Sequence, residues 1–202
     1  MSFALPWHLF FWLVFGWSAF APKDIYTWFL EVLPALMAYA VLLGTQKRFP
    51  LTPLLYFLIL LHCIILMVGG HYTYAEVPLF DWLAQISGSE RNNFDKLGHF
   101  AQGFVPAIAA REILLCKQVI NGRAWLNFIV VSVCLAISAF YELIEWWVAL
   151  TSNEAAEAFL GTQGYIWDTQ SDMLMALVGA SLALLTLSRL HDKQLAKMST
   201  NR

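Results

Sequence analysis

The chain has 202 residues, 59% of them hydrophobic and 13% charged, and its mean hydropathy is +0.61. A water-soluble domain carries about a quarter charged residues, so this composition excludes an ordinary soluble fold and points to a membrane protein. The formal net charge of −2 excludes a basic nucleic-acid surface, and the length allows one domain.

A spanning helix needs about 20 mostly apolar residues. Six stretches meet or approach this, at 6–21, 26–45, 51–70, 97–115, 124–149 and 169–189, and they predict an all-α, polytopic membrane protein. The first is short. It ends in Ala19-Phe20-Ala21 but has no basic residue before it, so a retained helix is expected rather than a cleaved signal. The fourth is interrupted by Gly98, Gly103 and Pro106, which suits a kinked helix packed among neighbours. Between the third and fourth, Val77 to Ile86 is apolar enough to lie along the interface as a short helix. The glycine-bearing stretch Phe159–Gly164 reads as the turn into the last segment, and Glu154 and Glu157 as solvated loop charges. Trp7, Trp28, Trp125, Trp146, Trp147 and Trp167 sit near helix ends, as an interfacial aromatic belt would. Cys63, Cys116 and Cys134 show no metal-knuckle spacing and are expected to be reduced thiols.

Basic residues orient the chain. With both termini cytoplasmic, the inside holds Lys47, Arg48, Arg111, Lys117, Arg123, Arg189, Lys193, Lys197 and Arg202. The outside holds only Lys23, Arg91 and Lys96. The positive-inside rule therefore predicts cytoplasmic termini and a multi-pass protein of the bacterial inner membrane.

Three helices then carry polar clusters to one side. Asp95 and His99 are four apart on the fourth, Glu142 and Glu145 three apart on the fifth, and Asp168 and Asp172 four apart on the sixth. From Trp125 to Glu142 is about 26 Å of helix, which puts Glu142 near the outer boundary, and His71 arrives there as a further member. Intramembrane ionisable groups mark functional sites by default. Protons or a cation must neutralise part of such a set. One or two histidines among carboxylates suit zinc, manganese or iron. The expected roles are metal ligation by His99, Glu145, Asp168, Asp172 and His71, and acid–base work by Glu142 and Asp95. The simpler alternatives are that Asp95 and Asp168 cap their helices, that Lys96 pairs with a carboxylate, and that His99 is a hydrogen-bonded core residue. His8, His62 and His191 read as structural or exposed, and Glu112 beside Arg111 as part of a cytoplasmic charge network.

The stretches HYTYAEVP, FDKLGHFAQGFVPAIAARE, SAFYELIEWW and FLGTQGYIWDTQSDMLMALVGA resemble the YjdF-like family of bacterial inner-membrane proteins. That resemblance implies a polytopic helical membrane domain and brings no activity with it. Asp95-Lys96 with His99-Phe100, then Glu142 or Glu145, then Asp168 or Asp172 ahead of Gly179-Ala180, are more distantly similar to VanZ-like membrane proteins, although the last motif here lacks an Asn after the aspartate. This second likeness implies an envelope role. Three functions are compatible with these features: a metal-dependent hydrolase or transferase on a lipid-linked envelope substrate, a small proton- or cation-coupled transporter, and an assembly protein held by a buried polar network. Membrane lipids are the expected surroundings in each.

Overall fold

The computed structural model describes residues 5–151 and 162–200. Glu154, Glu157 and the Phe159–Gly161 part of the expected turn lie outside the described residues. Among the described residues the chain forms seven α-helices: α1 Leu5–Ser18, α2 Ile25–Thr45, α3 Pro53–Tyr72, α4 Pro78–Ser87, α5 Phe94–Cys116, α6 Arg123–Thr151 and α7 Asp168–Thr200. Four of them, α2, α3, α6 and α7, are long and apolar enough to cross a membrane. The 14-residue α1 falls short in length, and α5 in apolarity, because it carries buried Asp95, His99, Arg111 and Glu112.

Local chemistry sets the ends of these helices. The Thr27 amide donates to Asp24 Oδ1 at 2.6 Å to cap α2. Thr52 caps α3, with Pro53 opening it. The short α4 matches the expected interfacial helix: Leu79, Trp82, Leu83 and Ile86 are all exposed, while Asp81 on its other side accepts from Asn92 Nδ2 at 2.6 Å. The last helix runs eleven residues beyond the apolar segment, because the polar stretch after Arg189 is still made of good helix formers.

The helices pack as two groups joined through α3. On one side, α1 and α2 lie on α3 around Phe11, Val32 and Met67. On the other, α5, α6 and α7 enclose Val105, Ile108, Val130, Cys134, Ala180 and Leu184. The most extensive pair is α5 with α7. Two glycines permit it, since a Cβ on Gly103 would collide with the Ala176 carbonyl and one on Gly179 with the Phe100 carbonyl. Gly103→Ala should therefore cost about 1–3 kcal/mol by forcing the two backbones apart. Thermal unfolding in detergent reads this loss, and an unchanged midpoint would show that the close approach is not needed.

Helix direction alternates, so the ends of α1, α3 and α6 share one end of the bundle with the starts of α2, α5 and α7. Two polar clusters result, one at each end. At the end opposite the predicted site, Glu112 accepts from the Thr52 amide at 2.8 Å, from the Thr52 hydroxyl at 2.7 Å and from His191 Nε2 at 2.8 Å. Arg111 donates to His191 Nδ1 at 2.9 Å and to Asp192 at 2.6 Å. Glu112 and His191 are fully buried. The network expected around Glu112 is present, and His191 belongs to it as a buried member.

Candidate functional site

At the other end, three helices deliver the groups that the spacing pointed to. Asp95, His99, Glu142, Glu145, Asp168 and Asp172 are all buried. His99 is the hub. Its Nε2 faces Asp95 Oδ1 at 3.3 Å and Asp172 Oδ1 at 3.9 Å. Its Nδ1 faces Gln102 Oε1 at 3.2 Å and Glu142 Oε1 at 3.7 Å. Two ligand groups flank the ring, Asp95–His99–Asp172 and His99–Glu142–Glu145, each with one atom per residue within 4.8 Å of the others.

Asp168 and Asp172 are already engaged by cations. Lys96 Nζ donates to both at 2.6 Å, and Arg91 reaches Asp168 at 2.5 Å. Asp168 is the first residue of α7, and Asp95 is not the cap of α5, where Asn93 stands at the N-cap. His71 is not brought into the cluster. Its Nδ1 lies 3.0 Å from the Ser18 carbonyl and its ring against Trp17, because α3 packs on α1 at that height.

Several members were not foreseen. Glu31, buried on α2, accepts from the Tyr141 hydroxyl of α6 at 3.1 Å. Tyr74 sits in the left-handed region at φ 57°, after Thr73 at φ 58°, and this turn drives its ring between Gly69 and Gly98. A Cβ on either glycine would strike that ring, so both positions require glycine. The sequence shows Arg91 only as one of the outside charges. It also donates to the Thr162 carbonyl at 2.7 Å, and the side-chain amide of Gln163 exchanges hydrogen bonds with the backbone of Asn92 at 2.8 and 2.9 Å. These bonds tie the stretch before α7 across the start of α5.

Charge is unbalanced here. Arg91 and Lys96 are shared among Asp95, Asp168 and Asp172, which leaves Glu31, Glu142 and Glu145 without a lysine or arginine beside them. Glu142 Oε1 is also buried without a hydrogen-bond partner, and Asp95 Oδ2 makes no hydrogen bond but lies 3.5 Å from both Arg91 and Lys96. Leaving such atoms unmet is costly, and unmet buried acceptors suit a site built for a proton or a cation. A cavity of about 330 Å³ opens beside them, lined by Glu31, Tyr74, Asp95, His99, Tyr141 and Glu145 at its polar end and by Met37, Leu66 and Ile137 farther along.

Comparison with known proteins identifies the family. Residues 3–193 match the family described as "Predicted membrane protein (DUF2238)". The chain belongs to this family. It is 52% identical over 185 residues to the inner membrane protein YjdF of Escherichia coli strain K12, covering 92% of this chain and 88% of that relative. No solved structure matches the chain. Membership in DUF2238 agrees with the expected resemblance and with the all-helical, membrane-type fold, and the family description carries no reaction.

Proposed function

We propose that the His99 cluster binds a divalent cation and uses it on a lipid-linked envelope substrate, in a hydrolase or transferase reaction at the outer leaflet. The observation that carries this reading is the imidazole set between carboxylates from α5, α6 and α7, with Glu142 Oε1 buried and without a hydrogen-bond partner. The ligand set that fits best is His99 Nδ1 with Glu142 and Glu145, because Nε2–H then donates to Asp95. A carboxylate behind a ligating histidine fixes its tautomer and raises its basicity. Asp172 and Asp168 hold Lys96 in place rather than ligating. Glu31, facing the cavity with Tyr141 as its donor, is left for acid–base work. A cation at this position would polarise a phosphoryl or carbonyl oxygen of a substrate reaching it through the apolar cavity. Oxygen-rich ligands with one imidazole favour manganese, iron or zinc.

The matching topology has six spans, with α1 and α5 completing the four apolar helices. The short α1 is stapled to α3 by Trp7 Nε1 donating to the Tyr56 carbonyl at 2.8 Å, and the polar groups of α5 are shielded by its neighbours. Both termini are cytoplasmic and the cluster faces outward. Added manganese or zinc should raise the unfolding temperature of the purified protein by mass action. Glu142→Ala should abolish that rise, and an equal rise in the variant would refute the assignment.

A second reading, proton- or cation-coupled transport, draws on one feature. The cavity at the cluster and a second one toward the opposite end share Pro34, His62, Leu66 and Pro106. Pro34 and Pro106 each lie inside a continuous helix at this meeting point, where the missing backbone N–H weakens the helix and gives it a place to flex. Cation-driven uptake into sealed vesicles, lost in His62→Ala while cation-dependent stability persists, would favour this reading over the enzyme.

A further inference from the structure

The second cavity is larger than the first, about 570 Å³, and of a different kind. Helices α2 and α5 wall it and α3 forms its floor, since α2 packs on α3 and α3 on α5. Its lining is aliphatic through Val41, Leu55, Ile59 and Ile113, and no carboxylate contributes to it. At one end stand Arg48 and Lys117, both exposed, with the Lys117 ammonium over the Phe49 ring at 5.5 Å from its centroid. From Lys117 back to Pro106, where the lining closes toward the first cavity, is eleven residues of helix, or about 16 Å. The hydrocarbon of one leaflet is about 15 Å deep, half of a 30 Å core. The groove therefore has the depth of one leaflet, an acyl-type wall and a doubly cationic mouth at the height of the headgroups.

We infer that this groove is a binding site for an anionic glycerophospholipid, with its phosphate held by Arg48 and Lys117 and one acyl chain lying between α2 and α5 as far as Pro106. The complementarity is specific in sign. A zwitterionic lipid presents its phosphate with a cation attached, whereas phosphatidylglycerol offers uncompensated negative charge to two residues that have no acidic neighbour in the groove. The site lies at the leaflet opposite the carboxylate cluster and stands independently of the reading of that cluster.

The test uses the purified full-length chain and two probes of equal chain length, phosphatidylglycerol and phosphatidylcholine, with occupancy measured by native mass spectrometry. Juxtamembrane cations each add about 1 kcal/mol toward an anionic headgroup, so the two together predict about 30-fold preference for phosphatidylglycerol. The double variant Arg48→Gln/Lys117→Gln should lose that preference. Val41→Trp fills the groove from a position that is 60% exposed, so the helix bundle tolerates it, and it should weaken both lipids with the cations intact. Equal occupancy by the two lipids in the unaltered chain would overturn the proposal. So would a preference that survives the double variant, undiminished binding in Val41→Trp, full displacement by equimolar inorganic phosphate, or a dimer with no lipid retained.

Discussion

Replacing Glu112 with alanine should destabilise the protein by about 3–5 kcal/mol, the cost of stranding the partners of a buried charge. The carboxylate is fully buried and accepts three hydrogen bonds, two from Thr52 and one from His191. Its removal leaves the Thr52 amide, the Thr52 hydroxyl and an imidazole N–H unmet, at the point where the start of α3 meets α5 and α7. The effect should appear as a fall in unfolding temperature on the order of 10 °C. Glu112→Gln separates charge from shape. The amide oxygen can still accept from Thr52, but its NH₂ group then faces His191 Nε2, which is itself the donor. The ring cannot switch tautomer to accommodate this, because Arg111 only donates and already points at Nδ1. An intermediate loss is expected for glutamine, and stability equal to the unaltered protein would show that the network contributes little.

The second large effect is expected at Lys96. Its ammonium joins Asp168 and Asp172 at 2.6 Å each, on a side chain only 15% exposed. Lys96→Met removes one of two fixed cations from a cluster already in carboxylate excess, and a loss of about 3 kcal/mol or more is expected. Asp172→Asn in the same chain should restore part of it, since the neutral amide no longer needs the ammonium. A double-mutant cycle on unfolding temperature measures the coupling, and strictly additive losses would show that the pair is not coupled.

Much of this arrangement was legible from local spacing. Asp95 and His99, Glu142 and Glu145, and Asp168 and Asp172 each recur at helical intervals, so each pair had to share a face, and alternating helix direction brought the three pairs to one end. Glu31 is hard to see in the sequence because no second ionisable residue stands a turn away in its apolar run; its partner, Tyr141, is 110 residues distant. The role of Arg91 was likewise hidden, since its contact with Asp168 depends on how the stretch before α7 crosses α5. His71 misled for the opposite reason. Its height was read correctly, but height does not fix the direction of a side chain, and the packing of α1 turns it toward Ser18. His191 was buried by a helix that continued past its apolar segment, an extension that hydropathy alone does not register.

The charge excess around His99 makes cation binding the claim on which the functional reading depends. Elemental analysis of the purified protein, after incubation with manganese, iron or zinc and removal of free ions, tests it most directly. About one divalent cation per chain is predicted, retained in Asp172→Asn, bound 10–100-fold more weakly in Asp95→Asn, and absent in His99→Ala. No bound cation in the unaltered protein, or an undiminished content in His99→Ala, would contradict the account.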